Sequence, residues 1–150
     1  MDYSQYFSAI SGFFWENLFF SGFFILIFPI HSVYQLYKEY QKNKSKSVIW
    51  IAVAVFVFLV LMSIPTINEV KDIQNVLNQN YMIATGTAVG WNTTTDESEP
   101  RSFSFLTDDG KTVDLRVLPC PPVHKGDRFE IIYLPNSGIG AIVQKLENGA

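Results

Sequence analysis

The chain has 150 residues and a mass of 17.1 kDa, which is enough for about one ordinary domain. Hydrophobic residues make up 48% of the sequence and charged residues only 17%, whereas soluble domains carry about 25% charged residues. The net charge of −3 excludes a nucleic-acid binder that works through a general basic field, and the single cysteine excludes an intramolecular disulfide framework and a thiolate-rich zinc site. Ten of the 13 phenylalanines lie between Phe7 and Phe58, so the composition predicts a small integral membrane protein with a soluble C-terminal part.

The first apolar segment is short and needs its flanks to cross a membrane. Residues 18–30 form an apolar run of thirteen residues, which alone is too short for the ~30 Å hydrocarbon core. Adding the flanking residues gives a predicted span of about 22 residues, 13–34. Glu16 and His31 are then about 22 Å apart along a helix and are expected at opposite interfaces. The Ser21-Gly22 pair is a small patch on which another helix can pack closely.

The second apolar segment is uninterrupted. Fifteen consecutive apolar residues occupy positions 48–62, and Ser63 and Ile64 extend the run to Pro65. As a helix this segment reaches about 26 Å, close to the thickness of the hydrocarbon core. The sequence therefore predicts a second span over 48–64 and, with the first span, a transmembrane hairpin over residues 1–65.

The connection 35–47 carries most of the positive charge of this hairpin. Its four lysines are accompanied by one acid, Glu39, and the N-terminal flank has no lysine or arginine. Because positive residues stay in the cytoplasm, we predict that 35–47 is a cytoplasmic loop and that both termini are extracytoplasmic, in a multi-pass protein of the cell membrane. The same lysines are candidates for contact with anionic lipid headgroups, although a solvated loop is the simpler interpretation. They are Lys38, Lys42, Lys44 and Lys46.

A short amphipathic helix is predicted to follow the second span. Thr66 and Glu69 have the T-x-x-E spacing of a capping box, which is typical of a helix start. Apolar residues then recur at helical spacing with polar residues between them, so we predict a stalk helix over 66–80. Its apolar stripe could be covered by the tail domain, by a partner stalk or by the lipid surface, and we favour packing on the tail domain. The stripe consists of Ile67, Val70, Ile73, Val76 and Leu77.

From Tyr81 the hydrophobic period changes to that of β-strands. Residues 81–150 are predicted to form an extracytoplasmic domain of five short strands separated by turn residues. Five strands in about 70 residues fit a small β-barrel of SH3-like or OB-like type, so the predicted fold class is an α+β membrane protein. The run 128–134 is largely apolar on both faces, which predicts a central strand. The strand-like runs are 81–91, 101–107, 111–118, 128–134 and 141–146.

The second and third strand-like runs allow a prediction of hairpin register. A two-residue turn would pair Phe105 with Asp114 and place a carboxylate on the apolar face. A three-residue loop, 108–110, pairs Phe105 with Val113 instead. Because a slip of one residue turns every side chain to the other face, we predict this second register, with Gly110 in the left-handed position of the loop.

The turn and strand near residue 130 carry a family resemblance. The residues KGDRFEIIYLPNS (125–137), followed by AIV (141–143), resemble a G-D-x-[VF]-x-[VI]-x-Y-x-P signature of uncharacterised bacterial membrane proteins, which join transmembrane helices to a small β domain. Membrane-anchored OB-type domains of the NfeD kind are similar in outline only. The resemblance implies that the motif is structural, a turn followed by a core strand and a second turn, and it implies no catalytic residue.

The sequence contains little that points to chemistry. No segment matches a P-loop, a dinucleotide-binding glycine motif, an HExxH zinc motif or an EF-hand loop, so no catalytic residue, cofactor or metal site is predicted. Cys120 and His124 are the one pair with the potential to act as nucleophile and base, and they lie in the proline-rich segment 118–124. A free cysteine is more often simply buried; an intermolecular disulfide, another redox role and catalysis stay open as alternatives.

These patterns favour a non-enzymatic membrane protein whose extracytoplasmic β-barrel binds or regulates another envelope or secreted protein. The alternatives are an oligomeric channel or transporter accessory subunit and, least favoured, a Cys120-dependent enzyme. The expected partners are the lipid bilayer and either an envelope protein or a second copy of the chain, with no nucleic acid. Because loops on a rigid scaffold carry function, we expect contacts from Trp91, Asp96, Glu97, Glu99, Cys120 and His124.

Overall fold

The computed structural model describes residues 3–43, 46–90 and 98–146. Two long α-helices are followed by five β-strands, so the chain is of the α+β class. Its internal contacts divide it into a helical unit, Trp15–Val70, and a β unit, which combines Met1–Phe14 with Lys71–Ala150. The elements are α1 (Ser4–Asn43), α2 (Lys46–Leu77), β1 (Met82–Ala88), β2 (Arg101–Thr107), β3 (Thr112–Val117), β4 (Arg128–Tyr133) and β5 (Ile139–Leu146).

The helical unit contains the most apolar parts of α1 and α2. The stretches Ser4–Lys42 and Trp50–Leu77 are long and apolar enough to cross a membrane, judged by length and composition. Many of their large apolar side chains are exposed. A polar contact joins the two helices: the Ser21 hydroxyl donates to the Glu69 carboxylate over 3.0 Å, and Glu69 is only 8% exposed.

The predicted loop 35–47 is largely helical, which corrects the expectation from sequence. α1 continues to Asn43 and α2 begins at Lys46. The segment 35–43 contains neither glycine nor proline and is rich in good helix formers, so nothing in it ends the helix. Lys38 and Lys42 are exposed on α1. Lys44 lies outside the described residues, and the side chain of Lys46 is likewise not described.

The predicted stalk is the end of α2 and not a separate helix. α2 is continuous through Pro65 to Leu77, so the capping-box spacing of Thr66 and Glu69 does not mark a helix start. A proline removes one main-chain hydrogen bond, but it does not by itself end a helix whose following turns are held elsewhere. Here those turns are held by the buried residue Asp72.

The buried face of this helix end also differs from the predicted apolar stripe. Ile67, Val70 and Leu77 are exposed, whereas Asp72 and Val76 are buried. The hydrogen bonds of Asp72, described below, select the face that packs on the β unit. Only part of the predicted stripe, Val76 with the half-buried Ile73, therefore lies on the covered side.

The five strands form one sheet that closes on itself in the order β1-β2-β3-β5-β4, with β1 paired to both β2 and β4. All pairings are antiparallel except β3 with β5, which are parallel. Phe105 pairs with Val113, as predicted, and Phe103 pairs with Leu115. Gly110 has a φ of 84°, so the predicted three-residue loop is confirmed. β4 pairs with β1 on one side and with β5 on the other, and each strand of the closed sheet likewise has two neighbours.

The core of the β unit follows from the alternation of side chains along these strands. On β2, every second residue is buried and the residues between them are exposed or half-buried. Phe103, Phe105 and Phe129 form the aromatic centre of the core, with ring centroids 6.4 and 6.5 Å from that of Phe103. The remaining buried members are Ala88, Leu115, Val117, Val123, Ile131 and Tyr133.

The first turns of α1 belong to this β unit. Ile10 and Phe14 are fully buried. The Tyr3 hydroxyl donates to the Glu130 carboxylate over 2.8 Å, and the Tyr6 hydroxyl donates to the carbonyl oxygen of Val143 over 3.2 Å. The beginning of the chain, predicted as part of the hairpin, is thus packed against its last strands.

Candidate functional site

Three of the six predicted contact residues lie within the described part of the chain, and they differ in exposure. Trp91, Asp96 and Glu97 lie outside the described residues, so their part of the prediction has no structural counterpart here. Glu99 is exposed. Cys120 is half-buried and His124 is exposed, both in the segment that joins β3 to β4.

Cys120 and His124 have different partners. The His124 main-chain N–H donates to the Asp127 carboxylate over 3.0 Å, and its Nδ1 lies 3.5 Å from the same carboxylate. Burial raises the pKa of the Cys120 thiol, and the nearby Arg101 guanidinium opposes that shift only in part. A raised pKa lowers the fraction of thiolate, which is the nucleophilic form. This arrangement does not activate Cys120 as a nucleophile.

Arg101 is a structural residue that the sequence did not reveal. It is 1% exposed, and its Nε donates to the carbonyl oxygen of Cys120 over 2.8 Å. Buried arginines are rare unless their guanidinium is satisfied. The residue thereby ties the start of β2 to the proline-rich segment. The β2–β3 hairpin brings the two segments together, because Arg101 pairs with Val117, three residues before Cys120.

An open groove of about 280 Å³ lies where β1 begins, beside the β2–β3 loop and the end of β4. Its apolar part contains Met82 and Ile83, which are 45% and 48% exposed. Tyr133 also lines it. Burial raises the pKa of the Tyr133 phenol, and the charge of Asp109 adds to this shift while Lys111 opposes it. The phenol is therefore a neutral hydrogen-bonding group and not a base at neutral pH.

The groove has a polar rim made by the two aspartates of the β2–β3 loop. Asp108 accepts hydrogen bonds from Arg128 Nη2 at 2.9 and 2.8 Å and from the Thr85 hydroxyl at 2.7 Å. Asp109 lies 3.2 Å from the Lys111 ammonium. A hydrogen bond from the Thr107 hydroxyl, and then one from Lys111, lower the pKa of Asp109. Both carboxylates are thus engaged within the rim.

This arrangement is suited to recognition. Two half-exposed apolar side chains lie beside a rim that presents fixed charges of both signs, which is the composition of a small contact surface. Within the described ranges 3–43, 46–90 and 98–146, no group of three or more His, Cys, Asp or Glu side chains is placed to hold a metal ion.

A second polar arrangement, which we call the Asp72 clamp, joins the end of α2 to the loop after β4. Asp72 is fully buried. Its carboxylate accepts hydrogen bonds from the main-chain N–H and side-chain amide of Asn136, with shortest distances of 3.1 and 2.7 Å. The main-chain N–H and hydroxyl of Ser137 each donate over 2.7 Å, and the Asn75 amide donates over 2.8 Å. These five donor groups satisfy the buried carboxylate.

The sequence offered no local signal for the Asp72 clamp. Asp72 and Ser137 are 65 positions apart, and the residues PNS were interpreted only as a turn. The two residues of the predicted helix-packing pair, Ser21 and Gly22, have different surroundings. Ser21 bonds to Glu69, but at Gly22 the space where a side chain would begin is open, with no described neighbour within 4 Å.

Comparison with protein-family models, curated proteins and solved structures finds no match to this chain. What the protein does is therefore inferred from the groove, the Asp72 clamp and the apolar helices themselves.

Proposed function

We propose that this chain is a non-enzymatic integral membrane protein whose β unit lies outside the cell and binds or regulates another envelope or secreted protein. α1 and α2 would cross the membrane as a hairpin, with Lys38 and Lys42 in the cytoplasm. The length and apolar character of the two helices support membrane insertion, and the lysines near the tip of the hairpin support the orientation.

We further propose that the β unit is an OB-type barrel. β4 lies beside β1, so four of the strands have the spatial order 4-1-2-3 of a Greek key. OB-type barrels are five-stranded Greek-key barrels that bind ligands through their surface and loops. A simple meander would instead place β4 beside β3, where the structure has β5 in parallel pairing. The strand order thus favours the OB-like alternative over the SH3-like one.

The observation that carries the binding proposal is the exposed apolar pair in the groove. Met82 and Ile83 each leave nearly half of their surface uncovered, although they lie at the start of a strand in the closed sheet. Protein contact surfaces have an apolar centre with a polar rim, and the rim here is formed by Asp108, Asp109 and Lys111. A partner that inserts an apolar side chain beside a charged or hydrogen-bonding group would match both parts.

Site-specific crosslinking in intact cells tests this proposal. A photoreactive amino acid at position 83 is expected to give an adduct with one recurring protein. The matched control is position 106, because Leu106 is also apolar and exposed but is not part of the groove. The adduct from position 83 should disappear when Met82→Asp is added. No adduct at position 83, or the same adducts at both positions, would contradict the proposal.

An oligomeric channel or transporter accessory subunit is the second candidate. The observation in its favour is Glu69, a carboxylate with only 8% of its surface exposed, which accepts a hydrogen bond from Ser21 of the predicted first span. Ionisable residues inside membrane helices are often functional. If the chain assembles through this region, the wild type is expected to be oligomeric in mild detergent and Glu69→Gln to change the assembly. A monomeric wild type would argue against it.

A Cys120-dependent enzyme ranks last, because the raised pKa of the thiol disfavours the thiolate.

A further inference from the structure

The first half of β1 pairs with a neighbouring strand on one side only. Towards β4, the pairing runs from Met82 to Thr87. Towards β2, it begins only at Gly86, which lies opposite Thr107, the last residue of β2. Residues 82–85 therefore leave one side of the strand without a paired strand, although the sheet closes further along β1. We call this segment the β1 edge.

The hydrogen bonds around the β1 edge show which main-chain groups face its open side. Along an antiparallel strand, alternate residues direct their N–H and C=O groups towards opposite neighbours. On the β2 side, the Thr85 carbonyl oxygen accepts from the Asp108 N–H over 2.9 Å, and the Val89 N–H donates to the carbonyl oxygen of Ser104 over 2.9 Å. Ile83 has the same parity as these two residues of the strand, so its N–H and C=O face the open side. Among the described residues, no main chain hydrogen-bonds these two groups there.

The β1 edge lacks the features that protect a free strand edge from other chains. Proteins usually cover such edges or place charged residues, prolines or bulges on them, because an unpaired main chain is a template for a further strand. The four residues here are Met, Ile, Ala and Thr, and their register against β4 is regular. An uncharged and regular edge of this kind is suited to receive another strand.

The chemistry beside the β1 edge favours an apolar strand. Residues directly opposite each other on neighbouring strands point to the same face of the sheet. Ile83 lies opposite Ile132 of β4, which is fully buried, and a residue added on the open side would place its side chain next to Ile83 on that face. The groove of about 280 Å³ is lined by all four residues of the β1 edge and provides the room.

We infer that the β1 edge binds an extended apolar segment of the partner protein by strand addition. One residue of the segment exchanges hydrogen bonds with the N–H and C=O of Ile83 and places an apolar side chain next to that of Ile83. Main-chain pairing supplies the affinity in this mode of recognition, and the alternate side chains supply the specificity. This inference rests on the proposed function and deepens it, because it states which form of the partner the groove recognises.

A fluorescent peptide of alternating valine and threonine is the probe, and anisotropy measures its binding to the full-length protein in mild detergent. In an extended peptide of this kind, the valine amides face one edge and the threonine amides face the other. N-methylation of the valine amides is expected to lower the affinity about fivefold, the effect of one lost hydrogen bond. N-methylation of the threonine amides is the matched control and should leave the affinity unchanged, because a valine can still pair with Ile83.

Variants of Ile83 test the same hydrogen bonds from the side of the protein. Ile83→Pro removes the N–H on the open side and should weaken peptide binding about fivefold. Proline is compatible with a strand edge at a position whose N–H has no partner. Ile83→Val keeps the N–H and an apolar side chain and should bind the peptide like the wild type. Leu106→Ala, which shortens an exposed apolar side chain outside the groove, should also leave binding unchanged.

Hydrogen exchange gives a measurement that needs no variant. In protein labelled isotopically at isoleucine, the amide of Ile83 is expected to exchange quickly in the free state and to slow about fivefold when the peptide saturates the site. Ile131 is the internal reference, because it is fully buried and pairs with Ala84 in the sheet. Its amide should exchange slowly both with and without the peptide.

The outcomes separate this inference from the proposed function. Equal affinities of the two methylated peptides would overturn strand addition but leave the groove as a binding site for apolar side chains. The absence of binding by the unmodified peptide at millimolar concentration would overturn it as well. An Ile83 amide that is protected in the free protein and loses this protection on dilution would show that a second copy of the chain occupies the β1 edge instead. A failure of position 83 to crosslink any protein in cells would contradict the proposed function and not the capacity of the edge to pair.

Discussion

Asp72 shows how one residue can determine the packing face of a helix. An aspartate in the last turns of a long apolar helix would be expected to face water. Instead it is fully buried, because main-chain and side-chain donors of Asn136 and Ser137 surround its carboxylate. Leu77, an apolar residue five positions further along the same helix end, is exposed. At this end of α2, a hydrogen-bonded carboxylate and not only an apolar side chain defines the buried face.

We expect Asp72→Asn to destabilise the β unit. Replacing one carboxylate oxygen by an NH2 group leaves buried donors of Asn136 and Ser137 without an acceptor, which costs about 2–4 kcal/mol of unfolding free energy. Urea unfolding in mild detergent, followed by near-ultraviolet circular dichroism, measures this loss. Asp114→Asn is the control, since Asp114 is exposed and should change the stability by less than about 1 kcal/mol. Equal stability of the two variants would show that the Asp72 clamp contributes nothing.

Two glycines with positive φ are predicted to respond differently to alanine. Gly138 has a φ of 69°, and a methyl group there would overlap the carbonyl oxygen of Asp114. Gly110 has a φ of 84° but open space around the position of a side chain. Gly110→Ala should therefore cost only the backbone strain, about 1–2 kcal/mol, and Gly138→Ala should cost about 3 kcal/mol or more. Thermal unfolding of both variants compares them, and a larger loss at Gly110 would contradict the structure.

The single thiol supplies a pH-dependent prediction. Burial disfavours the charged thiolate of Cys120 and raises its pKa, with Arg101 opposing this in part. Because the folded thiol holds its proton to higher pH than a free cysteine, its alkylation by iodoacetamide should be slower at neutral pH and reach its half-maximal rate at a higher pH. The urea-unfolded protein is the reference and should behave like free cysteine. If the folded protein reached its half-maximal alkylation rate at a lower pH than the unfolded chain, the thiol would be activated.

At the scale of single elements, β2 gives the sharpest contrast between neighbouring residues. Phe105 is fully buried in the aromatic centre, whereas the next residue, Leu106, is exposed on the other face. Phe105→Ala is expected to lower the unfolding free energy by about 3–5 kcal/mol, because it removes buried surface and leaves a cavity. Leu106→Ala should cost less than about 1 kcal/mol. Equilibrium unfolding in urea measures both, and similar costs would mean that the register of the hairpin is wrong.

The strands were predictable from sequence because their determinants are local. The pairing of Phe105 with Val113 follows from alternation on two neighbouring runs and from one glycine in the loop between them. The helix boundaries were less predictable. The sequence predicts a stop at Pro65, but α2 continues through it to Leu77, and Asp72 in its last turns is held by the loop after β4. The sequence also predicts a loop for the lysine-rich connection, although its residues are good helix formers.

The candidate site was largely hidden from the sequence for a different reason. The groove combines the start of β1, the loop between β2 and β3 and the end of β4, and Asp72 acquires its partners only where the end of α2 meets the loop after β4. Such contacts join residues far apart in the chain, and hydrophobic periodicity carries no information about them. The turn residues Asn136 and Ser137 were visible as a turn, but their role as donors to a helix was not.

At the scale of the whole molecule, the proposed orientation makes a direct prediction. In a Cys120→Ala background, a membrane-impermeant maleimide should label Lys125→Cys in intact cells, because the β unit is proposed to be outside. The same reagent should label Lys38→Cys only after the membrane is permeabilised. Both positions are exposed in the structure, so a difference in labelling reports the side of the membrane. The reverse pattern would place the β unit in the cytoplasm.

The packing of the first helical turns against the last strands has a consequence for how the protein is made. Tyr3 bonds to Glu130, 127 positions later, and Tyr6 bonds to Val143, 137 positions later. Both acceptors lie on the last two strands, β4 and β5, so the hydrogen bonds of Tyr3 and Tyr6 can form only after those strands have been synthesised. A nascent chain released before residue 128 would lack both acceptors, and the first turns of α1 would have to wait for the end of translation to be fixed in place.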